Sequence, residues 1–371
     1  MARLGCGAAL AWAGGQGSAS ADDPEPTPAE RAAMASRAQA FMSGYDLPGL
    51  SVAIGRMGAL LYQEGFGWAD RENRQAVTPD HLFRIASVSK PITSVAVFSL
   101  IEDGRLRLSD RVFGPGGVLG DAYGRPPYKP HVADVTVEHL LTHTGGGWSN
   151  DADDVMFTNP QMSNAELIAR TLDTRPLENP PGVRYAYSNF GYCVLGRIVE
   201  RMAGRPYEGF VRDRVLARCG VSDMAIAGNT LADRRAGEVE YYGPGPSPYG
   251  MNVSRMDSHG GWIARPADIV QFLMHVSGFA KPANILKPET IAVMTTVTPA
   301  NAQYAKGWSI TGNGNWWHSG SLPGTSAVAV RTASGYCWAA LVNARRWGSS
   351  LPDDLDNLVW NMVREVASWR V

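Results

Sequence analysis

The sequence predicts an α+β fold in which one sheet, built from both ends of the chain and flanked by helices, carries an inserted all-α lobe. Three observations point there. Residues 49–56 and 59–68 read as a β-hairpin closed by Met57 and Gly58. Strand-rich text returns only late in the chain, in residues 316–321, 325–331 and 336–343. Between them, from about Arg105 to Ser254, helical patterns alternate with Gly/Pro loops such as 114–130 and 241–250, and no repeat is visible. A sheet must bury a shared apolar face, so its two halves have to meet and the middle is an insertion. The expected division is 1–21 as a leader, 22–105 with 255–371 as the sheet domain, and 106–254 as the helical lobe.

Each element has its own local cause. The first residues, Arg3 followed by a short apolar run and then Ala19-Ser20-Ala21, imitate a secretory signal with a small-residue cleavage site. Export to the periplasm or exterior is therefore expected, the alternative being a cytoplasmic leader. Residues 30–42 read as a helix after an acidic, proline-containing stretch. Residues 92–101 are apolar almost all round, which argues for a buried helix. Residues 190–203 are amphipathic and Gly204 is placed to close them. Further helices are expected near 267–276 and 355–368. Cys6 would leave with a signal, while Cys193 and Cys337 fall in a predicted helix and strand and read as packing residues.

Ahead of the buried helix stands Ser87-Val88-Ser89-Lys90. Lysine is scarce here: Lys90, Lys129, Lys281, Lys287 and Lys306 are all there are among 34 basic residues, and only Lys90 has serine three positions before it. That spacing puts hydroxyl and amine on one helix face. A lysine held against apolar packing loses its proton readily and becomes a base, which activates a serine without histidine.

Two more motifs follow in order. Tyr187-Ser188-Asn189 is the only Tyr-x-Asn among thirteen tyrosines and stands at a loop-to-helix junction. His318-Ser319-Gly320-Ser321 lies in the strand that begins at Trp316, with a glycine that lets backbone come close to a ligand. Rival constellations are weaker. Gly-x-Ser-x-Gly does not occur, so a nucleophile elbow is unsupported. His139 and His143 have metal-ligand spacing, but the glutamate of His-Glu-x-x-His is missing. His143-Thr144-Gly145 reads as the structural end of a short helix.

The order Ser-x-x-Lys, Tyr-x-Asn, His-x-Gly resembles the serine β-lactamase and penicillin-binding protein superfamily. Its class C branch is the nearest in pattern, a branch that also holds D-alanyl-D-alanine carboxypeptidases, D-aminopeptidases and the family VIII carboxylesterases. Phe83-Arg84-Ile85-Ala86, the run from His139 to Gly146, and Gly260-Gly261-Trp262 support it. The resemblance implies an antiparallel sheet beside a helical lobe, with the site in the cleft. It implies Ser87 as nucleophile, Lys90 or Tyr187 as the base, and Asn189 as a partner of substrate and of Lys90. It also implies backbone N–H groups of Ser87 and Ser321 as oxyanion donors, with Ser319 offering a hydroxyl and Gly320 the room. Where many relatives begin the third motif with a carboxylate-binding lysine, this chain has His318, which carries less charge at neutral pH.

The expected activity is hydrolysis of small esters or amides through an acyl-enzyme, with no cofactor and no metal. A carboxylesterase ranks before a D-alanyl-D-alanine carboxypeptidase or D-aminopeptidase, and a weak β-lactamase comes last. A binding or scaffold protein that kept the fold and lost turnover is the alternative of another class. A net charge of −1 provides no basic field for nucleic acid, and no stretch is long enough to span a bilayer. The partner is then a small molecule. Trp316, Trp317 and the loop 241–249 are expected to line an apolar acyl pocket.

Overall fold

The computed structural model describes residues 25–151 and 153–369; the suggested signal and Cys6 lie outside them. Helix α1 (Pro28–Tyr45) opens on a Thr27–Glu30 capping box and leads into strands β1 (Gly49–Arg56) and β2 (Ala59–Asp70). Their turn is the expected one, with Met57 and Gly58 both at positive φ (50° and 94°), the hand that matches strand twist. Short strands β3 (Gln75–Ala76) and β4 (Phe83–Arg84) follow, then the buried helix α2 (Ser89–Glu102). The middle of the chain holds α3 (Val137–Leu141), α4 (Asn164–Thr174), α5 (Asn189–Ala203), α6 (Tyr207–Val211) and a two-residue strand β5 (Ala225–Ile226). Helix α5 ends where the sequence places its stop, with Gly204 at φ 70°.

After β6 (Trp262–Ala264), helices α7 (Pro266–Val276) and α8 (Pro288–Met294) lead to β7 (Ser309–Ile310), β8 (Trp316–Leu322), β9 (Thr325–Arg331) and β10 (Tyr336–Val342). Helix α9 (Leu351–Arg364) starts four residues before the expected 355, because Pro352 suits a first helical turn and residues 351–354 join the pattern there.

The main sheet has seven strands in the order β3-β2-β1-β10-β9-β8-β7, antiparallel throughout, so early and late strands meet at the pair β1–β10, Leu50 opposite Val342. Alternation along these strands sorts side chains to two faces. Leu50, Val52, Ile54, Val328, Val330, Trp338 and Val342 pack under α1 and α9. The opposite face presents Ala53, Ala327, Ala329, Ala339 and Leu341 to α2 and α7. Small residues there admit close approach; a Cβ at Gly55 would sit 2.7 Å from Val270. A second sheet, β4-β6-β5, is too short in every strand to show a sequence period. It anchors β4 just before Ser87. Cys193, Cys219 and Cys337 are free and buried.

Candidate active site

Ser87 lies on a 3₁₀ turn (Ala86–Val88) between β4 and α2, so sheet register on one side and helix packing on the other fix its place. The preceding Ala86 takes the left-handed φ of 47°, an uncommon conformation for a residue with a Cβ, which the surrounding packing holds. Lys90 lies in the first turn of α2 with no solvent exposure. Its Nζ is 3.0 Å from Ser87 Oγ, 2.7 Å from Asn189 Oδ1 and 3.1 Å from the His259 carbonyl oxygen. It also stands 4.7 Å from the centre of the Tyr187 ring.

Tyr187-Ser188-Asn189 forms the start of α5. Ser188 is the N-cap: its Oγ accepts from Gly191 N at 3.0 Å and donates to the Trp148 carbonyl at 2.7 Å. Asn189 is held by three groups. Its N–H donates to Asn150 Oδ1 at 2.8 Å, its Nδ2 donates to Asp154 Oδ2 at 2.7 Å, and its Oδ1 faces Lys90. Because a carboxylate only accepts, Asp154 settles which end of the amide points at Lys90.

The third motif is the edge of the sheet. Strand β7 pairs only with Trp316 and Trp317, so β8 from His318 onward is bonded to β9 on one side and open on the other. A Cβ on Gly320 would fall 2.2 Å from Ile85 O and 3.0 Å from Ser87 N. Only glycine lets the strand lie on the segment that carries Ser87. His318 is buried, its Nε2 3.2 Å from the Tyr304 hydroxyl and its Nδ1 2.7 Å from the Ser319 carbonyl oxygen. Both ring nitrogens are thus committed to the protein.

These three segments, expected from the sequence, converge on one cleft of about 800 Å³ lined by Ser87, Tyr187, Asn189, His318, Ser319 and Ser321. Its apolar wall comes from Phe157, Tyr185, Met251 and Trp317. Trp316, expected beside Trp317, instead packs against Trp308 and Arg331, since neighbours on a strand face opposite ways. Tyr241 and Tyr249 are also turned inward, with Tyr241 donating to Glu238 and Tyr249 accepting from the Tyr241 N–H. Pro246 and Ser247 of that loop reach the cleft.

Burial sets the electrostatics. It pushes the Lys90 ammonium down to about 7, against the opposing pull of Asp154. Burial drives the Tyr187 phenol well above its ordinary range, with hydrogen bonding to Ser87 acting the other way. It lowers His318 to about 3 and raises Asp154. Asp154, Asn150 and Tyr304 are the site members that sequence reasoning missed. None belongs to a motif, and Asp154 caps a single 3₁₀ turn in a long loop, which leaves no periodic signal. His143, read as structural, lies against Tyr187 with ring centres 4.3 Å apart. Its Nδ1 accepts from Ser188 N at 3.1 Å and its Nε2 meets Tyr304, leaving no nitrogen to share with His139.

A family model described as Beta-lactamase matches residues 34–359. Esterase EstB of Burkholderia gladioli is 31% identical over 233 residues, a stretch that covers 58% of this chain and 56% of the esterase. Penicillin-binding protein 4 of Amycolatopsis lactamdurans is 28% identical over 344 residues, 85% of this chain and 86% of that protein. Among solved structures, D-amino acid amidase from Ochrobactrum anthropi SV3, complexed with L-phenylalanine, superposes with a TM-score of 0.75 at 20% identity over 90% of this chain and 99% of its own. At that identity the likeness is one of fold. No helix among the described residues is long and apolar enough to cross a membrane.

Proposed function

Because the chain belongs to the beta-lactamase family, we propose that it is a serine hydrolase that cleaves small carboxylic esters through an acyl-enzyme on Ser87. The observation that carries this reading is the environment of Lys90. Of its three polar neighbours, Asn189 Oδ1 and His259 O can only accept. A neutral amine directs its two hydrogens to them and its lone pair at the Ser87 hydroxyl. Between the two bases left open by the sequence, burial favours the uncharged lysine and disfavours a tyrosinate.

In this mechanism Ser87 Oγ attacks the ester carbonyl carbon while its proton passes to Lys90 Nζ. The oxyanion is received by the backbone N–H groups of Ser87 and Ser321. The Lys90 ammonium is steadied by two carbonyls, by the Tyr187 ring and, one amide away, by Asp154. Tyr187, protonated and bonded to Ser87, hands a proton to the departing alkoxide and is restored from Lys90. Water then attacks the acyl carbon with the same groups acting in reverse. The same reading keeps the cleft between a sheet domain of 22–105 with 255–371 and a helical lobe of 106–254. It also keeps export as the destination of the chain.

The preference for esters rests on the third motif and the wall. His318 brings no charge and no free nitrogen, and Phe157, Tyr185 and Trp317 give an aromatic wall to a cleft that Arg345 also lines. A second reading, hydrolysis of aminoacyl amides, is favoured by Asp154, a mostly buried carboxylate that lines the cleft and makes no ion pair among the described residues. A substrate ammonium would complete it. One preparation assayed with p-nitrophenyl butyrate, D-phenylalanine amide and nitrocefin separates these readings. Ester turnover above the other two supports the first; amide turnover above ester turnover replaces it with the second. No turnover and no fluorophosphonate adduct on Ser87 would leave a binding protein.

A further inference from the structure

A hydrogen-bond chain, two of whose members (Tyr304 and His318) line the cleft, runs in one sense from the start of α5 to the edge of β8. Its two ends fix its direction. The Ser188 N–H can only donate, so His143 Nδ1, 3.1 Å away, is bare and His143 Nε2 carries the hydrogen. At the far end the Ser319 carbonyl can only accept, so His318 Nδ1, 2.7 Å away, carries the hydrogen and His318 Nε2 is bare. Between them the Tyr304 hydroxyl lies 3.1 Å from His143 Nε2 and 3.2 Å from His318 Nε2. It accepts from the first and donates to the second. Tyr192, a second hydroxyl bonded to Tyr304, gives its own proton to the Leu141 carbonyl at 2.9 Å and so can only accept from Tyr304; the Tyr304 hydrogen goes to His318 Nε2, which has no other donor among the described residues.

All four linked residues are at least nine-tenths buried: Ser188 5% exposed, His143 1%, Tyr304 4% and His318 5%. They come from four separate stretches of chain, the end of α3, the start of α5, the loop before β7, and β8. The chain therefore ties the segment that carries Tyr187 and Asn189 to the strand that carries Ser321. We propose that Tyr304 and His143 are positioning residues for the reaction at Ser87, locking His318 in one tautomer so that β8 holds the Ser321 N–H at the oxyanion. The inference rests on the reading of Ser87 as nucleophile.

A hydroxyl that both accepts and donates is required at position 304. Loss of either bond leaves a buried nitrogen unpaired or frees His318 to exchange tautomers and release the Ser319 carbonyl. Burial depresses both histidines most, and Lys90 adds to this whenever it is an ammonium; the other groups that face the chain are the phenols of Tyr185, Tyr187 and Tyr192. Both imidazoles are held neutral through the working range.

The test uses the full chain carrying ¹⁵N-histidine. Long-range proton–nitrogen spectra, assigned with His143→Gln and His318→Gln, are expected to show His318 as the Nδ1–H form and His143 as the Nε2–H form, both unchanged from about pH 5 to 9. Tyr304→Phe keeps the ring and removes both bonds. It is expected to scramble the His318 tautomer and to lower both kcat on p-nitrophenyl butyrate and the rate of Ser87 labelling by about tenfold or more, with KM inside about twofold. His143→Gln preserves a donor to Tyr304 and should keep the His318 form, whereas His143→Asn preserves only the acceptor for Ser188 and should lose it. His318 in the Nε2–H form in the wild type, or Tyr304→Phe with unchanged tautomers and kcat within about twofold, overturns the proposal. If Tyr304→Phe does not fold, the wild-type spectrum and the Gln/Asn pair decide. Failure of the wild type to label at Ser87 sinks the hydrolase reading, and the spectra then report on the hydrogen-bond chain alone.

Discussion

Lys90 and Asp154 stand on opposite sides of one amide. Asn189 accepts from Lys90 Nζ through Oδ1 and donates to Asp154 through Nδ2, each at 2.7 Å. The carboxylate is thereby coupled to the amine without touching it, and its charge opposes the burial that lowers the lysine. In the proposed mechanism Lys90 works as the neutral amine, so kcat/KM for an uncharged ester should rise with pH up to about 7 and flatten above it. Asp154→Asn removes the charge that raises Lys90 and keeps an acceptor for Asn189. The rising limb should then move to lower pH, by about half a unit to one unit. A limb that stays put in a pH–rate profile would uncouple the two.

Ser87→Ala should abolish fluorophosphonate labelling and lower turnover by about a thousandfold or more, leaving the fold intact by circular dichroism. Intact mass followed by peptide mapping checks it. An adduct on Ser188 or Ser319 with retained activity would contradict the assignment.

Lys90→Ala and Tyr187→Phe are expected to lower kcat by about a thousandfold each, with a double mutant little worse than either, because they handle one proton in succession. Steady-state kinetics of the four proteins form the cycle. Additive losses would mean independent roles.

Gly320→Ala puts a methyl against Ile85 O and Ser87 N. Both are backbone, so β8 has to move. The expected result is a loss of kcat of about a hundredfold, the scale of one misplaced oxyanion donor, with little change in melting temperature since only the sheet edge shifts. Parallel calorimetry and kinetics distinguish this from unfolding.

Ser188→Ala removes the N-cap of α5 together with its bond to Trp148 O. It should destabilise the protein by about 1–2 kcal/mol in urea titration, while Ser87 still labels.

Much of this is legible in the sequence itself. The hairpin, α5 with its glycine stop, and strands β8 to β10 were readable because each has a period or a terminator that only one structure satisfies. Ser87 and Lys90 were readable because a charge in an apolar run is an anomaly. Asp154 and Tyr304 were not, since a lone residue in a loop acquires meaning only from what the fold brings beside it. Strands β4, β5 and β6 escaped for another reason: at two or three residues, pairing is decided by tertiary packing and leaves no pattern. His143 follows the end of α3, as its sequence context suggests; that its ring also reaches Tyr304 depends on the sheet edge being in place.

The pairing of β1 with β10 has a consequence for how the protein comes into being. A nascent chain emitting residues 49–70 has made two of the seven strands of its central sheet but must wait for residues 336–342 before β1 gains its second neighbour. During that interval the apolar faces of β1 and β2 have only local partners, and the intervening 106–254 segment is synthesised first. Contacts so distant in sequence are slow to form and leave strand edges open meanwhile. Truncation before β10 should therefore yield helices without a cleft, a species that chaperones hold and proteases clear.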